Sequence, residues 1–136
     1  MATRSFISIK HKDNTYSGVY CHWDGSPEWN GEVLKKDYQA RSKVVDLIDG
    51  GDMSCLKTKT TWDSAYVDEN YTNTREEQPL YYYERGETDE TIIYPKHFKT
   101  HQQMYKYASG CCCEYIYTFD DTVGEDQPWW SFCGVN

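Results

Sequence analysis

Ser5-Phe6-Ile7-Ser8-Ile9-Lys10-His11-Lys12, then Asp13-Asn14-Thr15, then Tyr16-Ser17-Gly18-Val19-Tyr20-Cys21-His22-Trp23: residues 5–23 decide the fold. Ile7 and Ile9 fall on one face of an extended run, Lys10 and Lys12 on the other, which is the period of a strand. Asp13-Asn14-Thr15 is a turn signal, and Tyr16 to Trp23 reads as a second strand, so the chain opens with a hairpin. Directly after it, Ser26-Pro27-Glu28 carries the marks of a helix start. Ser26 is placed to cap, Pro27 suits the first helical position, and Glu28 favours the positive end of the helix dipole. Trp29, Val33, Leu34 and Tyr38 follow near helical spacing.

Ser42 to Asp49 predicts a second helix with Val44, Val45, Leu47 and Ile48 as its apolar face and Gly50-Gly51 as its stop. Asp52 to Leu56 reads as a connector. Lys57 to Gln78 is polar, with Trp62, Tyr66 and Tyr71 spaced through it, and fits a long loop or a ragged hairpin. Leu80 to Glu84 reads as a strand, Arg85-Gly86-Glu87 as a turn, and Ile92-Ile93-Tyr94 as a short strand stopped by Pro95. Thr100 to Ser109 predicts a third helix, capped by Thr100, with His101, Met104, Tyr105 and Ala108 on one face and Gly110 as its stop. Cys111 to Asp120 reads as a strand with Cys111, Cys113, Tyr115, Tyr117 and Phe119 on one face. A loop from Asp121 to Pro128 joins it to a last strand, Trp129 to Cys133, completing a terminal hairpin. Strands and helices are clustered rather than alternating. The expectation is therefore one α+β domain over residues 1–136, an antiparallel sheet of about six strands with helices packed mainly on one face.

Composition narrows the function classes. The chain has 136 residues, with 13 Tyr, 5 Trp and only 4 Phe. Its core should therefore hold many half-buried rings whose polar tips need partners. Twenty-two acids against 14 bases give a net charge of −8, which opposes non-specific attraction to nucleic acid or anionic lipid. The acids lie in small clusters, such as Glu87 to Glu90 and Asp120-Asp121, rather than in the regular rows that nucleic-acid mimicry needs. Met1 to Ile7 has no apolar core of a signal peptide, and no run approaches the ~20 apolar residues that span a bilayer. A cytoplasmic protein with its six cysteines reduced is expected.

Val19-Tyr20-Cys21-His22-Trp23-Asp24-Gly25 concentrates reactive groups where a strand meets a helix start. Strand geometry divides them. Cys21 and His22 point to opposite faces and cannot form a nucleophile–base pair, whereas Tyr20, His22 and Asp24 share a face. Asp24, two residues from His22, is placed to favour the imidazolium. Tyr20, His22, Asp24 and Ser26 are thus the candidate ligand-binding residues; the alternative is that Asp24 only ties the turn. No catalytic residue is assigned. Cys111 and Cys113, with Cys133 on the neighbouring strand, offer three thiolates for zinc, but adjacent cysteines lack the two-to-four-residue spacers of structural zinc sites. His97 and His101 are four apart without the Glu of a metalloprotease helix between them. Met removal leaves Ala2, which has no nucleophile of the N-terminal hydrolase kind. No cofactor is called for.

Thr3-Arg4-Ser5, Val19 to Gly25, Leu47-Ile48-Asp49-Gly50-Gly51-Asp52 and Glu114-Tyr115-Ile116-Tyr117 together resemble a family of small bacteriophage and bacterial proteins of no established biochemical role. The His-Trp-Asp-Gly core is the most specific element. The resemblance implies a phage-encoded accessory protein acting in the infected cell's cytoplasm, and it carries over no catalytic residue.

Three functions compete. The favoured one is a non-enzymatic module that binds a host protein through an aromatic or acidic surface. The second is a small-molecule or nucleotide binder, or an enzyme, with Tyr20, His22 and Asp24 near the helix start and aromatics from Tyr81 to Tyr83 lining the site. The third is a structural zinc protein using Cys111, Cys113 and Cys133.

Overall fold

The computed structural model describes residues 2–56, 78–124 and 126–135, so the polar stretch from Lys57 lies almost wholly outside the described residues. The opening hairpin forms as the alternation requires. Strand β1 (Ser5–Lys10) pairs antiparallel with β2 (Tyr16–Cys21), Ile7 opposite Val19 and Ile9 opposite Ser17. At the turn the Asp13 carboxylate accepts from the Thr15 amide and hydroxyl. Asn14 takes a left-handed φ of 67°, a conformation Asn tolerates better than most residues.

Beyond β2 a single π-helical turn (Pro27–Gly31) runs into α1 (Glu32–Asp37), and α2 (Arg41–Asp49) follows. Pro27 occupies the first turn as expected, but the Ser26 side chain makes no capping bond. Its carbonyl instead receives the amides of Trp29 and Gly31. Leu34 is buried, while Trp29 is 58 % exposed, so the helical stripe is narrower than its spacing implied. Helix α2 buries Val44, Leu47 and Ile48 against Ile7, Ile9, Val19 and Cys21 of the sheet, and Tyr117, Phe119 and Trp130 complete this core.

Short elements are where sequence and structure part. The Asp52 to Leu56 connector contains a strand, β3 (Met53–Cys55), parallel to β2 and antiparallel to β4 (Leu80–Tyr81). Tyr82–Arg85 is a 3₁₀ turn rather than more strand, closed by Gly86 at φ 93°. Ile92 and Ile93 belong to a helical turn, α3 (Glu90–Ile93), because the Asp89 carboxylate caps the Thr91 amide. That local cap overrides the strand preference of β-branched residues. Strand β5 (Lys96–Phe98) pairs with the first half of β2. Helix α4 (His101–Gly110) starts at Thr100, whose hydroxyl accepts from the Gln103 amide as expected. Of its predicted face, Met104 and Ala108 are buried and His101 is exposed.

Cys111 to Cys113 are not strand. Their amides close the end of α4 on the carbonyls of Tyr107, Ala108 and Ser109, and Cys112 adopts φ 62°. Strand β6 (Tyr115–Phe119) follows, parallel to β1, and pairs antiparallel with β7 (Trp130–Gly134) as the terminal hairpin.

The product is an α+β fold on a mixed sheet in the order β4-β3-β2-β1-β6-β7, with β5 also on β2. The β1–β6 and β2–β3 pairs are parallel, so the sheet is not wholly antiparallel. Its faces are covered from both sides: α1 and α2 pack on one, and α4 packs Met104 and Ala108 against Phe6 and Ile116 on the other. Central β1 is therefore buried from Ser5 to Ile9. Ser8 is accommodated there by bonds to the Tyr117 carbonyl and the Thr118 hydroxyl. Among the described residues, no helix is long and apolar enough to cross a membrane.

Candidate functional site

The heptapeptide divides between two tasks. Trp23, Asp24 and Gly25 form a tight turn. Asp24 sits at φ 59°, its carbonyl accepts the Asn30 amide, and the Gly25 amide bonds the Thr3 carbonyl at 2.8 Å. The Tyr117 hydroxyl donates to the Gly25 carbonyl at 2.6 Å. A Cβ on Gly25 would lie 2.6 Å from the Thr3 carbonyl oxygen, closer than van der Waals contact allows. Asn30, only 2 % exposed, donates to the Trp23 carbonyl and to the Cys21 sulfur. Asn30 escaped the sequence reading; its only signal there is an amide placed inside a helix start, where it competes with helical bonding. Cys21 is fully buried, and its thiol is pushed well up, first by burial and then by Cys55. It is a protonated core residue, not a nucleophile.

Tyr20 and His22 do share a face and meet: the Tyr20 hydroxyl lies 2.7 Å from His22 Nδ1. The His22 ring also stands edge-on to Trp23, centroids 4.7 Å apart. Burial, then the Arg4 charge, lowers the His22 pKa. Asp24 is not among these causes, so the expected stabilisation of an imidazolium by that carboxylate is corrected: burial and Arg4 favour the neutral ring. The Tyr20 phenol is pushed up to about 12, chiefly by burial, with Tyr82 adding and Arg4 opposing. The protonated phenol either donates to Nδ1, which puts the ring proton on Nε2, or accepts from Nδ1–H.

What holds this pair is an acid–base clamp that sequence reading missed. Strand β2 is flanked by β5 up to Gly18 and by β3 from Cys21 onward. In the gap between them the Tyr20 amide is taken by the Asp52 carboxylate at 2.9 Å. The other Asp52 oxygen accepts from Lys96 Nζ, also at 2.9 Å. Asp52 thus continues the ladder with a side chain, and Lys96 ties β5 to the start of β3. The Asp52 pKa is raised because burial outweighs the Tyr20 amide and Lys96.

Around the clamp lie Arg4, Tyr82, Tyr107, Cys111 and Cys113. Arg4 influences Tyr20, His22 and Cys113 alike, and Tyr82 influences Tyr20. The Cys113 thiol is pushed up to about 12, and those of Cys111 and Cys133 are raised, each first by burial. These three cysteines pack with Phe6, Ile116 and α4. Among the described residues no three His, Cys, Asp or Glu side chains are grouped to hold a metal ion. His97 and His101 are separated, one on β5 and the other starting α4 against the edge of Tyr16.

The sequence candidates therefore sort cleanly. Tyr20 and His22 join Arg4, Tyr82 and the Asp52–Lys96 clamp, whereas Asp24 and Ser26 belong to the turn and the helix start. Comparison with protein-family models, with curated proteins and with solved structures finds no match.

Proposed function

We propose that this protein binds a small anionic molecule carrying a planar ring, a nucleotide in chemical type, on the half-buried surface formed by Arg4, Tyr20, His22 and Tyr82. The observation that carries this reading is the Tyr20–His22 hydrogen bond fixed beside Arg4. Arg4 supplies a permanent cation and, with Tyr20 donating to Nδ1, His22 supplies an Nε2–H donor, both suited to a phosphate or carboxylate. Tyr20 and Tyr82 supply half-buried aromatic surface for the ring. The clamp fixes Tyr20 through its own amide, so the donor set is preorganised. Titration of the ¹⁵N-labelled protein with adenosine monophosphate tests it. The reading requires saturable shifts at Arg4, Tyr20 and His22, abolished by Arg4→Gln; adenosine without phosphate should bind far more weakly. Absence of shifts at these residues sinks it.

A second reading rests on a different surface. Among the described strands β7 lies at the end of the sheet, and Phe132 and Trp129 are 51 % and 40 % exposed. Phe132 lies against Tyr115 and Tyr117, with centroids 6.0 and 5.9 Å away. An outer strand with exposed aromatics suits strand addition by a partner protein. Here the partner is a host protein, and the chain is the phage-encoded accessory factor that the resemblance implies. Replacement of Phe132 and Trp129 by Ser should then abolish capture of one defined host partner while leaving the fold intact; unchanged capture rejects it.

A further inference from the structure

His11, Ser17 and His97 lie on the sheet face that α2 covers, away from the Asp52 clamp. They are brought together by register alone. Ser17 stands between Ile9 of β1 and His97 of β5, and His11 follows β1 at the hairpin turn. The Ser17 hydroxyl is 2.7 Å from His11 Nε2 and 2.7 Å from His97 Nδ1. The hydroxyl has one proton and two acceptor lone pairs, so it either donates to one imidazole and accepts from the other or accepts an N–H from both. A neutral ring that donates to the hydroxyl through one nitrogen presents its other nitrogen as an acceptor.

This chain lines a cavity of about 420 Å³ whose other walls are Ile9, Val45, Ile48 and Pro95, with Asp13, Thr15 and Asp49 at its polar edge. That volume is in the range of small-molecule sites. Among the described lining residues there is no lysine or arginine, and the carboxylates are those of Asp13 and Asp49. We infer that this cavity is a second ligand site, for a small organic ammonium with a short apolar body. Carboxylates and an imidazole nitrogen accept the ammonium N–H groups, while the isoleucines and valine cover the alkyl part. An anionic ligand of the same shape meets two carboxylates and no lysine or arginine among the described residues, so the site discriminates by charge.

The test uses hexylammonium and hexanoate as matched probes, read by amide shifts of the ¹⁵N-labelled full chain. Hexylammonium should shift Ile9, Ser17, Ile48 and His97 saturably, at least about tenfold more tightly than hexanoate. Asp49→Asn removes an exposed carboxylate that plays no part in the core, and should weaken hexylammonium about three- to tenfold. His97→Gln, also at an exposed position, breaks the chain and should weaken it as well. Equal or tighter hexanoate binding, no shifts at these residues, or unchanged hexylammonium affinity in both variants would overturn the inference.

Discussion

Lys96→Met probes the clamp most sharply, because it removes the cation and leaves the apolar stem in place. Lys96 and Asp52 side chains are 14 % and 10 % exposed, and their charged atoms are 2.9 Å apart. At an effective dielectric constant near 20, that separation corresponds to a Coulomb attraction of about 6 kcal/mol. Desolvation of both groups offsets much of it, and breaking a buried pair from one side typically costs 3–5 kcal/mol. With this residual exposure, a loss of about 3 kcal/mol at pH 7 is expected. The pH dependence gives the discriminating result. The folded pKa of Asp52 is already raised, so its ionisation costs stability: that stability is full below the unfolded pKa and lost as pH rises through the folded one. Without Lys96 the folded value rises further. The variant should therefore lose most at pH 7 and recover toward the native protein as the buffer approaches about pH 4. Urea denaturation at both pH values measures this. A loss under about 1 kcal/mol, or the same loss at both pH values, refutes the clamp.

Gly51→Ala should cost about 2–4 kcal/mol, since φ is +82° and the new Cβ would sit 2.4 Å from the Ile93 carbonyl carbon; denaturant midpoints check it. Tyr117→Phe removes a buried 2.6 Å bond to the turn at Gly25 and should cost about 1–2 kcal/mol by the same assay. Alkylation of native protein followed by peptide mapping should label exposed Cys112 first and leave Cys21 and Cys55, both buried, protected until unfolding. Elemental analysis of purified protein should return no stoichiometric zinc, since the Cys111, Cys113 and Cys133 thiols pack as apolar groups.

Long, periodic segments were legible. The hairpin at Asp13-Asn14-Thr15, helix α2 with its Gly50-Gly51 stop, and α4 with its Thr100 cap each rest on local chemistry the chain carries itself. The misreadings sit where tertiary pairing decides. Met53–Cys55 and Lys96–Phe98 are three-residue strands, too short to show alternation, and each exists because β2 offers an edge to pair with. Cys111 and Cys113 alternate like a strand but are drawn into closing the end of α4. The site was half legible. Alternation put Tyr20 and His22 together, and their hydrogen bond is there. Asp52 lies 32 residues from Tyr20 along the chain, and Lys96 lies 44 from Asp52. Ser17 and His97 are 80 apart. No spacing rule links such residues; only sheet order does.

The proposed anion site rests on Arg4, Tyr20 and His22 acting as preorganised donors. The most direct measurement is the ¹⁵N imidazole spectrum of His22 followed through an adenosine monophosphate titration. The expected result is a neutral ring protonated on Nε2 at pH 7, whose Nε2 signal moves saturably with ligand and fails to move in Arg4→Gln. A His22 ring already charged at pH 7, or an Nε2 signal indifferent to ligand, would contradict it.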